Sequence, residues 1–253
     1  MGKNLDDMVL ERINIKKTVT LEMICAEFAI SESTCRRVLK RLDEKGLIMR
    51  FHGGANSLDM KQESSGVYDR YYTKADLKEM IAKEAAKIVK PFETIFLMGG
   101  TTVFRMCKYI KDLQLKVITN SLLVFNELSM MKNIDLVLLG GTFNREESDF
   151  RGLLTTSNSK IFTCDHVFMG VNGYINNAGF TTEDEDAIEL YRSSIALSNK
   201  SYVLTDSSKF MNRGKAIVAP LKDLTGIFTD HKAPSEIIAE LKGVSINVVI
   251  TKE

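Results

Sequence analysis

The segment Ser31–Leu42, SESTCRRVLKRL, combines hydroxyl and cationic side chains in a pattern typical of a helix that reads DNA. Ser31 is a residue type that caps helix N-termini, and Glu32 is an acid in the first turn, where the helix dipole favours it. A buried seam at helical spacing is predicted for Val38, Leu39 and Leu42. The remaining faces carry hydroxyls and cations, namely Ser33, Thr34, Arg36, Arg37, Lys40 and Arg41.

These side-chain types fit the chemistry of a DNA groove. An arginine can bind guanine with two hydrogen bonds, and short hydroxyls near a helix N-terminus reach base edges or phosphates. The alternative for an isolated run of this kind is a basic face that is simply solvated. The surrounding elements therefore have to distinguish the two interpretations.

Composition limits the classes of protein that fit. The chain has 253 residues and a formal net charge of +1, so any DNA contact must come from local charge. We expect a cytoplasmic protein, because the sequence lacks an apolar run near 18 residues and an apolar signal-peptide core at its N-terminus. The four cysteines and three histidines are dispersed, so we expect reduced thiols and neither a metal site nor a cofactor.

The elements around Ser31–Leu42 follow the order of a winged helix-turn-helix. The sequence predicts a first helix at residues 6–16, a second at Leu21–Phe28 and a third from Ser31 to Lys45. Gly46 is placed to end the third helix. Leu47–Phe51 then predicts a strand, and the glycines after it predict the turn of a β wing.

The run SESTCRRVLKRLDEKGLIMRFHGGA resembles the DNA-binding domain of the DeoR family of bacterial transcription regulators. The matching positions are Ser31, Thr34, Arg36, Arg37, Leu39, Leu42, Gly46, Arg50, His52, Gly53, Gly54 and Ala55. Two positions depart from the family: Cys35 replaces the usual isoleucine, and Val38 replaces an aspartate that could orient an arginine. We expect DNA contacts from Ser31, Ser33, Thr34, Arg36, Arg37, Lys40, Arg41, Arg50 and His52. The alternative is a winged-helix module used for protein contacts alone.

Beyond this module the sequence predicts an α/β domain with a mainly parallel sheet. Residues 57–74 are polar and without clear period, which predicts a linker between a winged helix-turn-helix domain at 1–56 and an effector-binding domain at 75–253. In the latter, short apolar runs such as Thr94–Met98 and Leu115–Thr119 alternate with helical patterns, among them residues 103–110 and 184–197. This alternation favours a parallel sheet covered by helices on both faces.

Ligands of such sheets bind at the carboxyl ends of the strands, and four predicted strand ends carry suitable groups. These are GGTT after Met98, TNS from Thr119, GGT after Leu139, and DSSK after Thr205. Glycine lets the backbone approach an anion, and N–H groups, hydroxyls and a lysine can hold it. Each loop alone could instead be a helix cap; together they predict a site for a phosphorylated polyol.

The resemblance to the DeoR family extends through the segments IFLMGGTT, VITN, LLGGTFNR, DHVFMGVNG and LTDSSKF. It implies an effector domain that is related in fold to ribose-5-phosphate isomerase and binds sugar phosphates. The implied contacts are Gly99, Gly100, Thr101, Thr102, Asn120, Gly140, Gly141, Arg145 and Lys209. Met98 departs from the family, which commonly has an aspartate there, so the ligand is expected to be less polyhydroxylated or held elsewhere.

Together these features predict a repressor of a sugar catabolism operon that a phosphorylated sugar releases from its operator. The expected partners are double-stranded operator DNA, a sugar phosphate and further copies of the chain, as a dimer or tetramer, with no membrane. Two alternatives stay open. A sugar-phosphate isomerase would need a general base, for which Glu183–Asp186 and Asp206 are candidates. A DNA-binding protein with a silent effector domain is the other.

Overall fold

The computed structural model describes residues 4–16, 18–51, 54–57 and 66–252 of the chain. The contacts within the chain divide it into two compact units, residues 1–68 and residues 69–253. Each unit has a core of its own, and each is described separately below.

Up to Ser57, the described residues of the first unit form three helices and a small antiparallel sheet. In chain order these are α1 (Leu5–Lys16), β1 (Thr18–Thr20), α2 (Leu21–Phe28), α3 (Glu32–Glu44), β2 (Ile48–Phe51) and β3 (Gly54–Ser57). The strands pair in the order β1-β3-β2. Helix α2 begins at the cap Thr20, whose hydroxyl accepts a hydrogen bond from the Met23 amide. The predicted winged helix-turn-helix order is therefore confirmed.

The seam predicted on α3 is the part of that helix that enters the core. Val38, Leu39 and Leu42 are at most 2% exposed, and they pack with Ile13 of α1 and Ile24 of α2. The chain leaves α3 through Gly46 at φ +65°, a left-handed conformation that glycine adopts without strain. Helix α3 is thus fixed by burial of one face, and the opposite face is left exposed.

The segment predicted to be a linker is partly structured. Ser57 closes strand β3, residues 58–65 lie outside the described residues, and helix α4 (Val67–Tyr72) crosses the boundary between the two units. Helix α5 (Ala75–Ala86) follows after one turn. The exact domain boundaries stay a prediction.

The second unit is built on a parallel sheet of seven strands, in the order β15-β14-β12-β9-β4-β5-β6. The strands are β4 (Thr94–Leu97), β5 (Leu115–Thr119), β6 (Ile134–Leu138), β9 (Cys164–Met169), β12 (Ser198–Leu204), β14 (Gly226–Thr229) and β15 (Asn247–Ile250). Two clusters of buried apolar side chains cover the two faces of this sheet. The predicted α/β class with a mainly parallel sheet is confirmed.

Helices connect these strands, and several are shorter than the sequence pattern predicts. They are α6 (Thr101–Phe104), α7 (Cys107–Ile110), α8 (Leu122–Leu128), α9 (Leu153–Ser159), α10 (Ile188–Ala196) and α11 (Ser235–Gly243). The single helix predicted for 103–110 is two short helices. The one predicted for 184–197 begins as a 3₁₀ turn at Glu185–Ala187.

Short antiparallel strands outside the main sheet were not predicted at four places, namely β7 (Thr142–Asn144), β8 (Asp149–Arg151), β10 (Gly173–Ile175) and β11 (Gly179–Thr182). The sequence does predict a strand at residues 216–219, and strand β13 (Ala216–Ile217) occupies the first half of that segment. Strands β7 and β8 form a hairpin after β6, and β10, β11 and β13 form a three-stranded sheet. Among the described residues, no helix has the length and apolar character needed to cross a bilayer.

Candidate functional site

The N-terminus of α3 presents a cluster of hydroxyl groups. The Ser31 hydroxyl accepts a hydrogen bond from the Thr34 amide at 3.2 Å. It also lies 2.9 Å from the Ser33 hydroxyl and 3.0 Å from that of Thr34. Ser31 and Ser33 are exposed, so this capped end of the helix offers hydroxyls at the surface. The structure brings these three predicted DNA contacts together.

The four cations of α3 are exposed, but their side chains are not equally available. Arg36 pairs with Glu32 one turn earlier, and Lys40 Nζ lies 3.7 Å from Glu44. Arg41 binds Asp6 of α1 through two hydrogen bonds, of 2.6 and 2.9 Å. Among the described residues Arg37 forms no ion pair. Arg37 is therefore the arginine of this face that is least engaged in contacts within the protein.

The other residues singled out by the sequence in this unit are Arg50, His52, Cys35 and Val38. Arg50 is exposed on β2, and His52 lies outside the described residues. Cys35 and Val38, the two departures from the family pattern, are both 0% exposed. Since Val38 packs in the core, its side chain does not belong to the exposed face of α3.

The second unit contains a cavity of about 480 Å³ at the carboxyl ends of strands β12, β9, β4 and β5, which are neighbours in the sheet. Six of the nine predicted effector contacts line it, namely Gly99, Gly100, Thr101, Thr102, Asn120 and Lys209. The rule that ligands bind at the strand ends therefore located this cavity.

The loop after β4, Gly99–Gly100, which we call the glycine loop, is held from two sides. The Gly99 amide donates to Asn120 Oδ1 at 3.1 Å, and Asn120 Nδ2 donates to the Phe150 carbonyl at 3.1 Å. Gly100 has φ +133° and faces the backbone of Gly170, whose Cα would be 3.4 Å from an added Cβ. The loop leads directly into α6, whose first amides have no partner within the helix and can bind an anion.

Gly140, Gly141 and Arg145 are not part of the cavity lining. Strand β6 is the edge of the sheet, and the chain after it turns into the β7–β8 hairpin. A Cβ on Gly141 would overlap the Thr155 hydroxyl and lie 2.7 Å from the Arg151 carbonyl oxygen, so this glycine is required for packing. Arg145 is exposed in the turn of the hairpin.

A cluster of cations lies at one side of the cavity, and we call it the cation cluster: Arg70, Lys78 and Lys209 line the cavity, and Lys74 joins them through its ion pair with Asp206. Lys78 is only 4% exposed, and its Nζ donates to the Arg70 carbonyl. Arg70 pairs with Glu147, and Lys74 Nζ lies 3.5 Å from Asp206 Oδ1.

Burial and mutual repulsion perturb the ionisation of this cluster. Burial is the main cause that lowers the pKa of Lys78 to about 8, although Asp206 opposes the shift. Burial likewise lowers the pKa of Lys209, and Arg70 and Lys74 lower it further. The pKa of Asp206 is also lowered: burial acts to raise it, but hydrogen bonding from Ser208 and the charge of Lys78 outweigh burial. Clusters of this kind are frequent at functional sites.

The other side of the cavity contains an arginine between two carboxylates. Arg151 Nε donates to Asp149 Oδ1 at 2.7 Å, and Arg151 Nη1 pairs with Asp184. Burial raises the pKa of Asp149 to about 6, although Arg151 beside it favours the carboxylate. Asp149 lies against the glycine loop, since its Oδ2 would be 2.9 Å from a Cβ on Gly99.

Sequence reasoning missed the contributions of the connecting segment and the β7–β8 hairpin. The sequence predicts Arg70 in the linker and Lys78 in a helix without a binding role, and it predicts no element at Asp149 and Arg151. A signal was available for Lys78 alone, because it lies three residues before Ile81 on the apolar face of α5. Met98 lines the cavity and is 2% exposed, so no carboxylate comes from that position.

Comparison with known families covers both units. The model of the DeoR-like helix-turn-helix domain matches residues 6–61, and that of the DeoR C-terminal sensor domain matches residues 73–231. The chain belongs to the DeoR family. The sequence-based prediction of a transcription regulator of this family is confirmed.

Its relatives match over nearly their whole length. The lactose phosphotransferase system repressor of Lactococcus lactis is 31% identical, over 92% of this chain and 93% of the relative. The regulator IolR of Bacillus subtilis is 28% identical over 87% of each chain. The regulator GolR of Listeria innocua is 27% identical over 96% of each.

Among solved structures, ribose 5-phosphate isomerase A from Methanocaldococcus jannaschii matches 54% of this chain and 54% of its own, with 22% identity and a TM-score of 0.38. An eIF2B β2–δ2 complex from C. thermophilum matches 67% of this chain and 59% of its own, with 13% identity and a TM-score of 0.46.

Proposed function

We propose that this regulator represses an operon of sugar catabolism and releases its operator when a phosphorylated sugar binds in the cavity of the second unit. The observation that carries the proposal is the composition of that cavity. Three members of the cation cluster, Arg70, Lys78 and Lys209, line one part of it with the glycine loop, and the carboxylates of Asp149 and Asp184 line another.

The phosphate is assigned to the cation cluster. Arg70 pairs with Glu147 and Lys74 pairs with Asp206, while Lys78 and Lys209 line the cavity beside these two carboxylates. A phosphate monoester carries roughly −1.5 to −2 charges at neutral pH. The first amides of α6 add hydrogen-bond donors to the same anion.

The sugar hydroxyls are assigned to the carboxylate side. Met98 cannot accept a hydrogen bond from a hydroxyl, but Asp149 comes close to the same loop from strand β8. Asp184 comes from the loop before α10. These acids supply acceptors that the departure at Met98 removes, which favours a working sensor over a silent effector domain.

The names of relatives agree with this assignment, since one is a repressor of a lactose phosphotransferase system. The mechanism is a population shift, in which the sugar phosphate favours an arrangement of the chain with lower DNA affinity. The shift can be no larger than the difference between the affinities of the two arrangements for the sugar phosphate.

The proposal includes a homodimer or tetramer. Paired α3 helices would match an operator with two half-sites. The second unit exposes Leu153, Leu154 and Ile161 by 83%, 67% and 74%. Side chains of this type support an interface between copies. Light scattering after size exclusion would give the oligomer number, and a monomer at micromolar concentration would contradict this part.

The test uses the full chain and its own selected DNA. A binding sequence is first selected from random DNA, and its affinity is then titrated against fructose 1-phosphate, fructose 6-phosphate, glucose 6-phosphate and ribose 5-phosphate. We expect at least one of these to weaken DNA binding by fivefold or more and to raise the melting temperature without DNA. The unphosphorylated sugars serve as controls. Specific DNA binding that none of the phosphosugars changes would contradict the proposal and favour a DNA-binding protein with a silent effector domain.

A second candidate function is isomerisation of a sugar phosphate. Asp149 favours it, because a buried carboxyl with a pKa of about 6 is suited to act as a general base. Its hydrogen bond to Arg151 is the argument against it, because it holds the carboxylate in an ion pair. The test follows each of the four phosphosugars by NMR in deuterated water in the presence of the protein. We expect no turnover of any of them. Solvent exchange at a sugar carbon would favour the enzyme.

A further inference from the structure

Helix α4 joins the two units of the chain, and one arginine of the second unit holds its end. Arg105 Nη2 donates to the Tyr71 carbonyl oxygen at 2.7 Å. The guanidinium carbon also lies 4.4 Å from the centre of the Tyr71 ring, within the range of a cation–π contact. Tyr71 is three residues beyond Tyr68, the last residue of the first unit.

The same arginine follows directly after the helix that begins at the glycine loop. Helix α6 is Thr101–Phe104, a single turn, and Arg105 is its C-cap. Phe104 contacts the same tyrosine, with ring centres 5.6 Å apart. One helical turn therefore connects the loop assigned to phosphate with two side chains that both contact Tyr71.

Burial and a hydrogen bond to helix α5 fix the side chain of Arg105 in place. Its side chain is 11% exposed, and Nη1 donates to Glu79 Oε2 of α5 at 3.0 Å. A planar guanidinium with fixed donors cannot keep these contacts if α6 shifts against α4, because its hydrogen bonds have defined directions. A shift of the glycine loop that moves α6 therefore changes either the Arg105–Tyr71 contact or the position of Tyr71.

We infer that Arg105 is a positioning residue that transmits the occupancy of the sugar-phosphate cavity to helix α4, and so to DNA binding. The inference rests on the proposed function, but it concerns the coupling between the two activities and not the binding site. Arg105 does not line the cavity, so it has no direct contact with a ligand there. Coupling is the ratio of DNA affinities without and with sugar phosphate, typically about 5- to 150-fold in regulated proteins.

Lys108 provides a matched control. Its Nζ forms an ion pair with the same Glu79 carboxylate, but its ring contact is with Tyr109 and not with Tyr71. Arg105→Met and Lys108→Met both remove a cation from Glu79, and only the first removes the contacts to Tyr71. Arg105→Lys keeps the charge and loses the fork of donors, and it serves as the milder variant if Arg105→Met does not fold.

The experiment measures three quantities for the full chain: DNA affinity without sugar phosphate, DNA affinity with it, and sugar-phosphate affinity without DNA. The probe is whichever of the four phosphosugars named above binds most tightly to the wild type. We expect Arg105→Met to reduce the coupling ratio at least fivefold while the probe affinity changes less than threefold. Lys108→Met should retain the wild-type ratio.

A double-variant cycle distinguishes a specific role of the Arg105–Tyr71 contact from a general destabilisation of the second unit. Tyr71→Leu should reduce the coupling ratio as well. The double variant Arg105→Met/Tyr71→Leu should reduce the coupling ratio no further than the stronger single variant does, because both changes remove the same contact. An unchanged ratio in Arg105→Met, or an equal loss in Lys108→Met, would overturn the inference and leave the proposed function intact. A wild-type ratio of one would overturn both.

Discussion

The Asn120 side chain holds the glycine loop by accepting a hydrogen bond from the Gly99 amide at 3.1 Å. Its other end donates to the Phe150 carbonyl oxygen, and the residue is 3% exposed. The amide thus links the ends of strands β4 and β5 to the β7–β8 hairpin. Its main task in the ligand-free protein is to fix the shape of the loop that we assign to phosphate.

This arrangement predicts a loss of stability when Asn120 is truncated. Asn120→Ala leaves the Gly99 N–H and the Phe150 carbonyl, which are both partly buried, without these partners, and such a loss typically destabilises a protein by about 1–3 kcal/mol. Urea denaturation should show this decrease in the free energy of unfolding. Asn126→Ala, on the exposed side of α8, should change it by less than about 0.5 kcal/mol. Equal stability of the two variants would contradict the role of Asn120.

The same residue illustrates what the sequence can predict. A polar TNS motif after an apolar strand locates Asn120 at the strand end, because the carboxyl ends of parallel strands share one edge. The partner of its amide, Phe150, lies on a hairpin strand that has only three residues and no clear alternation. The motif therefore predicts the place of the side chain but not its contact.

The positions that the sequence did not predict have a common physical cause. Gly140 and Gly141 resemble a binding loop, but they follow the edge strand β6, and strand order is not readable from local patterns. Lys78 and Arg70 reach the cavity from helices that come before the sheet in the chain. Their contribution depends on how α4 and α5 pack, which is a tertiary property that periodicity does not contain.

Asp149 predicts a pH dependence of stability. Burial is the main cause that raises its pKa to about 6 in the folded protein, from the ordinary value of 3.8. The folded state therefore binds more protons than the unfolded state between these values, and stability falls as pH rises from about 4 to 6. Relative to Asp149→Asn, the wild type should lose about 2–3 kcal/mol between pH 4 and pH 7, at about 1.4 kcal/mol per pKa unit.

The measurement is urea denaturation of both proteins at several pH values. The informative quantity is how the difference in free energy of unfolding between the wild type and Asp149→Asn changes with pH. The absolute difference is not informative, because the loss of the Arg151 hydrogen bond adds a constant offset to the variant. A difference that stays flat across this range would mean that the carboxylate is as stable in the folded protein as in the unfolded chain.

The exposed face of α3 predicts unequal roles for two of its arginines. Arg37 forms no ion pair among the described residues, whereas Arg41 is held by Asp6. Arg37→Ala should weaken binding to the selected DNA by about 1–3 kcal/mol and relax the preference at one base position, as expected for a lost base contact. Arg41→Ala should leave base preference unchanged.

Repeating the DNA selection with each variant tests this contrast directly. The Asp6 partner of Arg41 has its pKa lowered, first by the hydrogen bond from Arg41. The pair therefore stabilises the fold above the pKa of an unfolded aspartate, and this contribution is lost as pH falls through the lower folded pKa. A changed base preference in Arg41→Ala, with none in Arg37→Ala, would reverse our assignment of the two arginines.

Lys209 provides the most direct test of the sensor. It lies on the 3₁₀ turn Ser207–Met211 after strand β12 and lines the cavity beside Asp206. An ammonium that pairs with a phosphate contributes about 1.5–3 kcal/mol, so Lys209→Ala should weaken sugar-phosphate binding roughly ten- to a hundredfold. DNA affinity without sugar phosphate should stay within twofold. The expected variant therefore binds its operator and is released only at much higher sugar-phosphate concentration.

Lys222→Ala is the matched control, since Lys222 is an exposed lysine on another 3₁₀ turn, Leu221–Asp223, outside the cavity lining. Titration of the protein–DNA complex with the phosphosugar measures the midpoint of release for all three proteins. An unchanged midpoint in Lys209→Ala would exclude the lysine from the phosphate site, and loss of DNA binding without phosphosugar would make its role structural.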